Sequence, residues 1–534
     1  MSQMIRQTRN WYDRFTDVLS VAANLMIKAT GVLIFMLLTW YSMKYTQYTV
    51  YYDEIPVDNK DSILKNLLVL LAVALVFWAL SELEKHLSDK ILAYIRRILL
   101  AALSVWLGVC GWLWITSVDR VPWGDQANIY VGAYYFMEEM YSFLSKGSYF
   151  DMYPHQLGLV TLTGLLFRFV VPLNYFTFQQ ICVGMTVGIG IIGYFVTRCL
   201  SEKTSVIVVY CFLMASCLPM IFYTGWVYGD IPSTFFIFMT VWCLLRYERS
   251  HSWGWLAGMA FCTMMAILTK ENSLIMLIAL SLTAGVYALA KKDRKILLGL
   301  VISMILPWMA YTGVRTMYQA RSGIGALGGI PAVSYIAMGM QEDIHGRCGW
   351  YTGYINFVYE DADYDPELAA EISRQDVRAR LDLFKNEPAY AWQFYRRKVL
   401  SQWNQPLYQS LFFSSRYRYA DGDVPAPGSI DDRVHEQYRK SILNFCDRVQ
   451  FVLYFGLLCY FLFAVEKRSN ILHHILAVTI IGGFFFSILW EAKARYILPY
   501  YIMMYPLAVT GIWRAFVQAE KAIEWMKVRR NKDI

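Results

Sequence analysis

Four short segments of this chain carry ionisable side chains at the edges of long apolar runs. Asp125 stands in Asp119-Arg120-Val121-Pro122-Trp123-Gly124-Asp125-Gln126, directly after such a run. Asp230 stands in Tyr228-Gly229-Asp230-Ile231-Pro232 and opens another. Lys270-Glu271-Asn272 joins two runs, and Glu491-Ala492-Lys493-Ala494-Arg495-Tyr496 joins two more. A carboxylate facing a hydroxyl can take its proton. Lysine and arginine can hold a phosphate and neutralise it as it leaves. Gathered on one expected face, these acids and bases favour a phosphate-handling site at the membrane surface. His155, in Tyr153-Pro154-His155-Gln156, could hydrogen-bond a substrate or phosphate.

Each residue also has an ordinary reading. Asp230 complements a helix dipole, Lys270 and Lys493 are interface anchors with apolar stems, Arg495 meets a lipid headgroup, and His155 starts a helix. Their gathering on one expected face is what favours a site over separate structural roles.

The elements that must position these residues are membrane helices. The chain has 534 residues, of which 57% are hydrophobic and only 17% charged, with mean hydropathy +0.35, too apolar for a soluble protein of this length. About twelve runs are long enough to cross a hydrocarbon core of about 30 Å. They lie near 29–45, 63–81, 98–117, 176–198, 205–223, 229–246, 253–269, 272–290, 296–314, 447–465, 472–490 and 496–515. The run 156–172 is read as a juxtamembrane helix. Counting it as a span would put Lys291, Lys292, Arg294, Lys295 and the basic tail with Lys527, Arg529 and Arg530 outside, against the positive-inside rule. Both termini are then cytoplasmic, and the four segments share the extracytoplasmic face.

The expected organisation is two N-terminal spans over 1–97, a membrane core over 98–314 with a first outer loop at 118–175, an extracytoplasmic insertion over 315–446, and C-terminal spans with a basic tail over 447–534. In the insertion, Asp365-Pro366-Glu367 reads as a helix start. Glu371 to Trp403 reads as helical with a break near Pro388, and Tyr417 to Asp432 reads as loop. No cleavable signal peptide is visible. The net charge of +8 sits in short loops and at the ends, so it does not point to nucleic acid. Cys348 and Cys446 either pair or stay as two thiols; most other cysteines lie in apolar runs.

Gly188-Ile189-Gly190-Ile191-Ile192-Gly193 and Gly323-Ile324-Gly325-Ala326-Leu327-Gly328 match a dinucleotide pattern, but neither follows a strand. The first reads as a close-packing site between membrane helices. No phosphate-binding loop, HExxH motif or Cys/His zinc pattern is present.

The order of these segments resembles the GT-C superfamily of integral-membrane glycosyltransferases, in particular protein O-mannosyltransferases and the lipid A aminoarabinose transferase. Trp123-Gly124-Asp125-Gln126 occupies the place of their first-loop acid, and Gly229-Asp230 that of a second acidic motif. Thr269-Lys270-Glu271-Asn272 is similar to their Lys-Glu joint, and Arg495-Tyr496-Ile497-Leu498-Pro499 to their late Arg-Tyr-x-x-Pro motif. The likeness runs over about 98–515. It departs from the family in the two extra N-terminal spans, and in Gln126 where an Asp-Glu pair is common.

The resemblance implies an all-α polytopic GT-C-like bundle with outer juxtamembrane helices and a helical insertion. It implies a multi-pass cell-membrane enzyme taking sugar from a polyprenyl-phosphate donor to an envelope glycan, lipid or protein acceptor by one inverting displacement. Asp125 would be the base, and Lys270, Arg495 and Lys493 would hold the donor phosphate. Asp230, Glu271, Gln126, His155 and Tyr228 would bind or orient substrate. Trp226 and Tyr228 could stack on a sugar. The resemblance fixes no cofactor, and a divalent metal at Asp230 and Glu271 stays open. The rival readings are a transporter or flippase of lipid-linked sugars and a non-catalytic scaffold.

Overall fold

The computed structural model describes residues 2–50, 54–118, 121–325, 327–414 and 427–530. Helices make up 80% of it, so the chain is an all-α polytopic membrane protein. The reason is physical: in lipid every backbone polar group must be satisfied within its own segment, which a helix does. Among the described residues the strands form one hairpin, Tyr45–Val50 against Ile55–Lys60, paired antiparallel from Tyr45↔Lys60 to Val50↔Ile55.

Helices occupy all twelve segments expected as spans. Among the described residues, eight are long and apolar enough to cross a membrane, or nine if the bent pair Thr204–Ala215 and Leu218–Gly225 counts as one. The expected number of twelve is therefore not met by length and composition. Trp253–Thr269 is short at 17 residues. Asp230–Ser250 begins and ends polar, and Leu498–Arg530 carries Tyr and Pro in its first turns. These last two are screened from lipid: residues 498–512 are buried almost throughout, and an enclosed helix need not be apolar on every face. The 48° bend at Ser216–Cys217 precedes Pro219, which lacks the N–H to continue the helix ladder.

Small residues set the closest helix contacts. A Cβ on Gly188 would meet the Phe235 ring at 2.5 Å, and one on Gly190 would meet Leu107 at 2.6 Å. The first glycine pattern is thus a packing seam, as its position in a membrane run suggests. Gly456 lies 2.7 Å, measured from an added Cβ, from Ala508 where Arg439–Phe463 crosses Leu498–Arg530. Of the second pattern, Ala326 lies outside the described residues; Gly323 ends the Arg294–Ser322 helix in a left-handed conformation (φ +68°).

The basic loops lie at one end of the bundle with the N-terminal helix, where Asp13 pairs with Lys292 at 2.6 Å and Asp17 with Arg468 at 3.1 Å. The hairpin, the insertion and the four chemistry-bearing segments lie at the other. The 156–172 run forms a short helix, Leu157–Phe167, packed on the end of Trp253–Thr269 through Gly158.

The insertion is helical where expected. Asp365 caps Pro366–Asn386 by accepting from the Glu367 and Leu368 amides at 2.8 and 3.3 Å, and Pro388 opens a second helix, Pro388–Trp403. The loop expected over 417–432 needs correction at its end. Ser429 caps a helical turn, Ile430–Arg433, that leads into the next span; residues 417–426 lie outside the described residues. Cys348 and Cys446 are free thiols buried in separate clusters.

Candidate functional site

The four segments converge on one cavity of about 640 Å³ at the insertion end of the bundle. Asp125 sits in the first turn of Gly124–Met137. Gly124 makes that placement possible with φ +56°, a conformation L-residues disfavour. The preceding Trp123 fixes the entry by stacking on Phe413 (5.8 Å, 12°) and meeting Trp226 edge-on at 5.3 Å. Asp125 Oδ2 accepts from Arg495 Nη2 at 3.0 Å, and Tyr149 Oη donates to Oδ1 at 3.4 Å. Burial pushes the Asp125 carboxyl up, but the Arg495 charge and hydrogen bond, with Lys493 and Tyr149, outweigh it and hold it below its ordinary value. The carboxylate is still 40% exposed, toward the cavity.

Arg495 lies in the turn Ala494–Ile497 between the last two membrane helices. Its guanidinium is caged by the rings of Phe413, Tyr496, Tyr228 and Trp226 at 4.8 to 5.8 Å. Its Nε has no hydrogen-bond partner among the described residues. Lys270 ends Trp253–Thr269 and pairs with the fully buried carboxylate of Asp230. Burial pulls the Lys270 ammonium below its ordinary value; Asp230 opposes this and the nearby Arg495 adds to it. The joint at 270 touches the one at 229 because Gly229 has no side chain: a Cβ there would lie 3.1 Å from Lys270 Cβ and closer still to the Thr269 carbonyl. Lys493 pairs with Glu54 at 3.5 Å.

Asp125, Lys270, Glu271, Lys493, Arg495, His155 and Tyr228 all line the cavity. Glu271 faces His155 at 3.8 Å, and Gln156 donates to the Tyr228 hydroxyl. Burial lowers the His155 ring below its ordinary value despite Glu271 and Asp125, which favours the neutral form.

Two expected residues do not line the cavity. Asp230 stands behind Lys270. Gln126 turns into the protein, 2% exposed, where its Oε1 accepts from Tyr175 and from the Val227 amide at 3.0 Å. Gln126 therefore braces the strip that carries Tyr228 instead of facing a ligand, because one helical step of about 100° separates it from Asp125. Trp226 is also 1% exposed and packs behind Arg495.

Several lining residues went unnoticed in the sequence: Glu491, Tyr149, Tyr153, Tyr335, Tyr351 and Tyr496. Glu491 was legible as a member of the Lys493–Arg495 joint. It is 6% exposed, accepts from the Tyr496 hydroxyl at 3.3 Å, and burial holds its carboxyl above its ordinary value against Lys493 and Arg495. Tyr496 was legible within the Arg-Tyr-x-x-Pro segment; the other tyrosines carried no signal beyond the aromatic richness of the chain.

The insertion builds one wall and fixes the joint. Tyr153 donates to Asn356 at 2.6 Å, and Asn356 to Tyr351 at 2.9 Å. Tyr335 stacks on Trp490 (4.9 Å, 8°), and Trp490 on Phe486. The Ala492 amide donates to the Gly349 carbonyl at 2.7 Å. Lys398, fully buried, donates to the Ile488 carbonyl at 2.8 Å and to that of Gly339, two helix ends that meet on one ammonium. The lining also takes in apolar residues of the membrane helices: Leu274, Ile275 and Phe486. No group of three or more His, Cys, Asp or Glu suited to a metal exists among the described residues.

No curated protein matches this chain. Residues 162–312, which carry Asp230, Lys270 and Glu271, match the model of the dolichyl-phosphate-mannose-protein mannosyltransferase family, a GT-C superfamily domain.

Proposed function

We propose that the protein transfers a sugar from a polyprenyl-phosphate donor to an extracytoplasmic acceptor, an envelope glycan, lipid or protein, in one inverting displacement. The observation that carries this reading is the convergence of Asp125, Lys270, Lys493 and Arg495 on one cavity that Leu274, Ile275 and Phe486 of the membrane helices also line. A lipid phosphate needs that combination: cations for the headgroup and an apolar flank for the chain.

Asp125 accepts the proton of the acceptor hydroxyl as its oxygen attacks the anomeric carbon. The bond from that carbon to the phosphate oxygen breaks, and the phosphate leaves with the electron pair. A positioned base of this kind contributes about 10²–10⁴-fold. Lys270 and Arg495 hold the phosphate and neutralise its growing charge, with Lys493 as a third cation. Asp230 orients Lys270. Glu271 and His155 bind sugar hydroxyls, and Tyr228 offers a ring face to the sugar.

The test uses the protein in proteoliposomes with radiolabelled polyprenyl-phosphate sugars and extracted envelope acceptors, comparing wild type with Asp125→Asn. Transfer that disappears in the variant supports the reading. Undiminished transfer by a folded Asp125→Asn protein removes Asp125 as base. Movement of lipid-linked sugar between leaflets without transfer would replace the enzyme by a flippase.

A further inference from the structure

The N-terminal hairpin lies outside the segment that matches the family model, yet it reaches the site. Glu54, at its turn, holds a left-handed conformation (φ 50°). One carboxylate oxygen faces Lys493 Nζ at 3.5 Å, and the other accepts from Gln409 Nε2 at 2.8 Å. Gln409 uses its amide at both ends, because its Oε1 accepts from the backbone N–H of Arg495 at 3.4 Å. Gln409 and its neighbour Tyr408 are themselves left-handed (φ 57° and 48°) and buried. Two consecutive non-glycine residues in that region persist only where the surroundings hold them. The hairpin is docked on this same strip: the Gln47 amide donates to Asn404 at 2.9 Å, and Gln405 donates to Thr49 at 3.1 Å.

We propose that Glu54 is a positioning residue for Lys493, and that the N-terminal hairpin is thereby a working part of the transfer site. A lysine is a point charge on a flexible four-carbon stem. Near Lys493 stand two other carboxylates, Asp125 and Glu491, and its charge lowers the protonation of both. Glu54 decides which carboxylate takes the ammonium. With Glu54 in place, Lys493 rests against the Tyr351 and Phe413 rings at 5.6 and 5.8 Å, and the exposed part of the Asp125 side chain stays clear of the ammonium for an acceptor. Without it, Lys493 moves onto Asp125 or Glu491 and leaves the donor phosphate. The role in transfer rests on the function proposed above.

The experiment compares wild type, Glu54→Gln, Lys493→Met and the double variant, all full-length in nanodiscs. Glu54→Gln keeps the hydrogen bond to Gln409 and removes the charge, so the hairpin stays docked. Without substrate, acetylation of Lys493 followed by mass spectrometry rises several-fold in Glu54→Gln; an unchanged rate overturns the proposal. In the transfer assay, Glu54→Gln raises the donor KM a few-fold and moves the acid limb of the pH profile down by about half a unit or more. It does neither in the Lys493→Met background. Equal effects in both backgrounds would make Glu54 a hairpin residue with no hold on Lys493. Wild-type protein that transfers no sugar strikes the proposed function alone, since the acetylation readout still decides where Lys493 sits.

Discussion

Arg495 Nη2 donates to Asp125 Oδ2 at 3.0 Å, across 370 residues of sequence. The pair joins the first turn after the third membrane helix to the joint before the last one. Arg495 is almost fully enclosed by aromatic rings, while the Asp125 side chain stays 40% exposed, so the arginine is the fixed member and the carboxylate the accessible one.

Replacing Arg495 by Lys should lower kcat by about 10²–10³-fold, the usual cost of losing one electrostatic donor at a reacting centre. Lysine keeps the charge but not the planar fork. Steady-state kinetics with the folded variant, checked by size-exclusion profile and circular dichroism, tests this.

The pH profile should have an acid limb below the ordinary carboxylate range. In the proposed mechanism Asp125 must be ionised to act, and Arg495 holds it below its ordinary value of about 3.9. Removing the cation with Arg495→Met leaves burial in command and moves that limb up. The lowered carboxyl also contributes stability that is fully present above the ordinary value and lost as pH falls through the lowered one. Thermal unfolding between pH 3 and 6 should therefore show a smaller acid loss in the variant. An acid limb that stays in place in Arg495→Met would mean another group titrates.

Gly229→Ala should disturb Lys270 without touching it. The added methyl would press on the Thr269 carbonyl and the Lys270 stem. The expected result is a donor KM raised about tenfold or more with helix content unchanged; wild-type kinetics would show that the two joints separate freely.

Lys398→Met should loosen the joint from the insertion side. It strips two buried carbonyls, those of Gly339 and Ile488, of their shared donor, at a cost of about 1–3 kcal/mol. A lower melting temperature and faster proteolysis of the insertion are expected. Burial pushes the Lys398 ammonium down to about 7, so the unfolded chain binds the extra proton between that value and about 10.4. Wild-type stability should rise with pH across this window, and the rise should vanish in Lys398→Met.

Much of this protein was readable in one dimension. Apolar run length placed a helix on each expected span, because lipid leaves the backbone no other solution. The Asp365-Pro366-Glu367 start and the break at Pro388 were equally local, a cap and a missing N–H. The acids and bases at run ends were legible for the same reason: a charge interrupts hydropathy wherever it stands.

Tertiary structure decided the partners. Hydropathy does not say that Asp125 meets Arg495, that Asp230 stands behind Lys270, or that Glu54 reaches Lys493, because each pair is brought together by helix packing across long separations. It does not say that Gln126 faces inward, since that depends on how one helix is rotated. Nor does it separate lipid-facing helices from enclosed ones such as Leu498–Arg530, whose tyrosines are tolerated because neighbouring helices, not lipid, surround them. The sequence by itself determined which segments are helical and where charge can gather; the packing determined which charges touch, because contact energy falls off within a few ångströms and sequence distance says nothing about those.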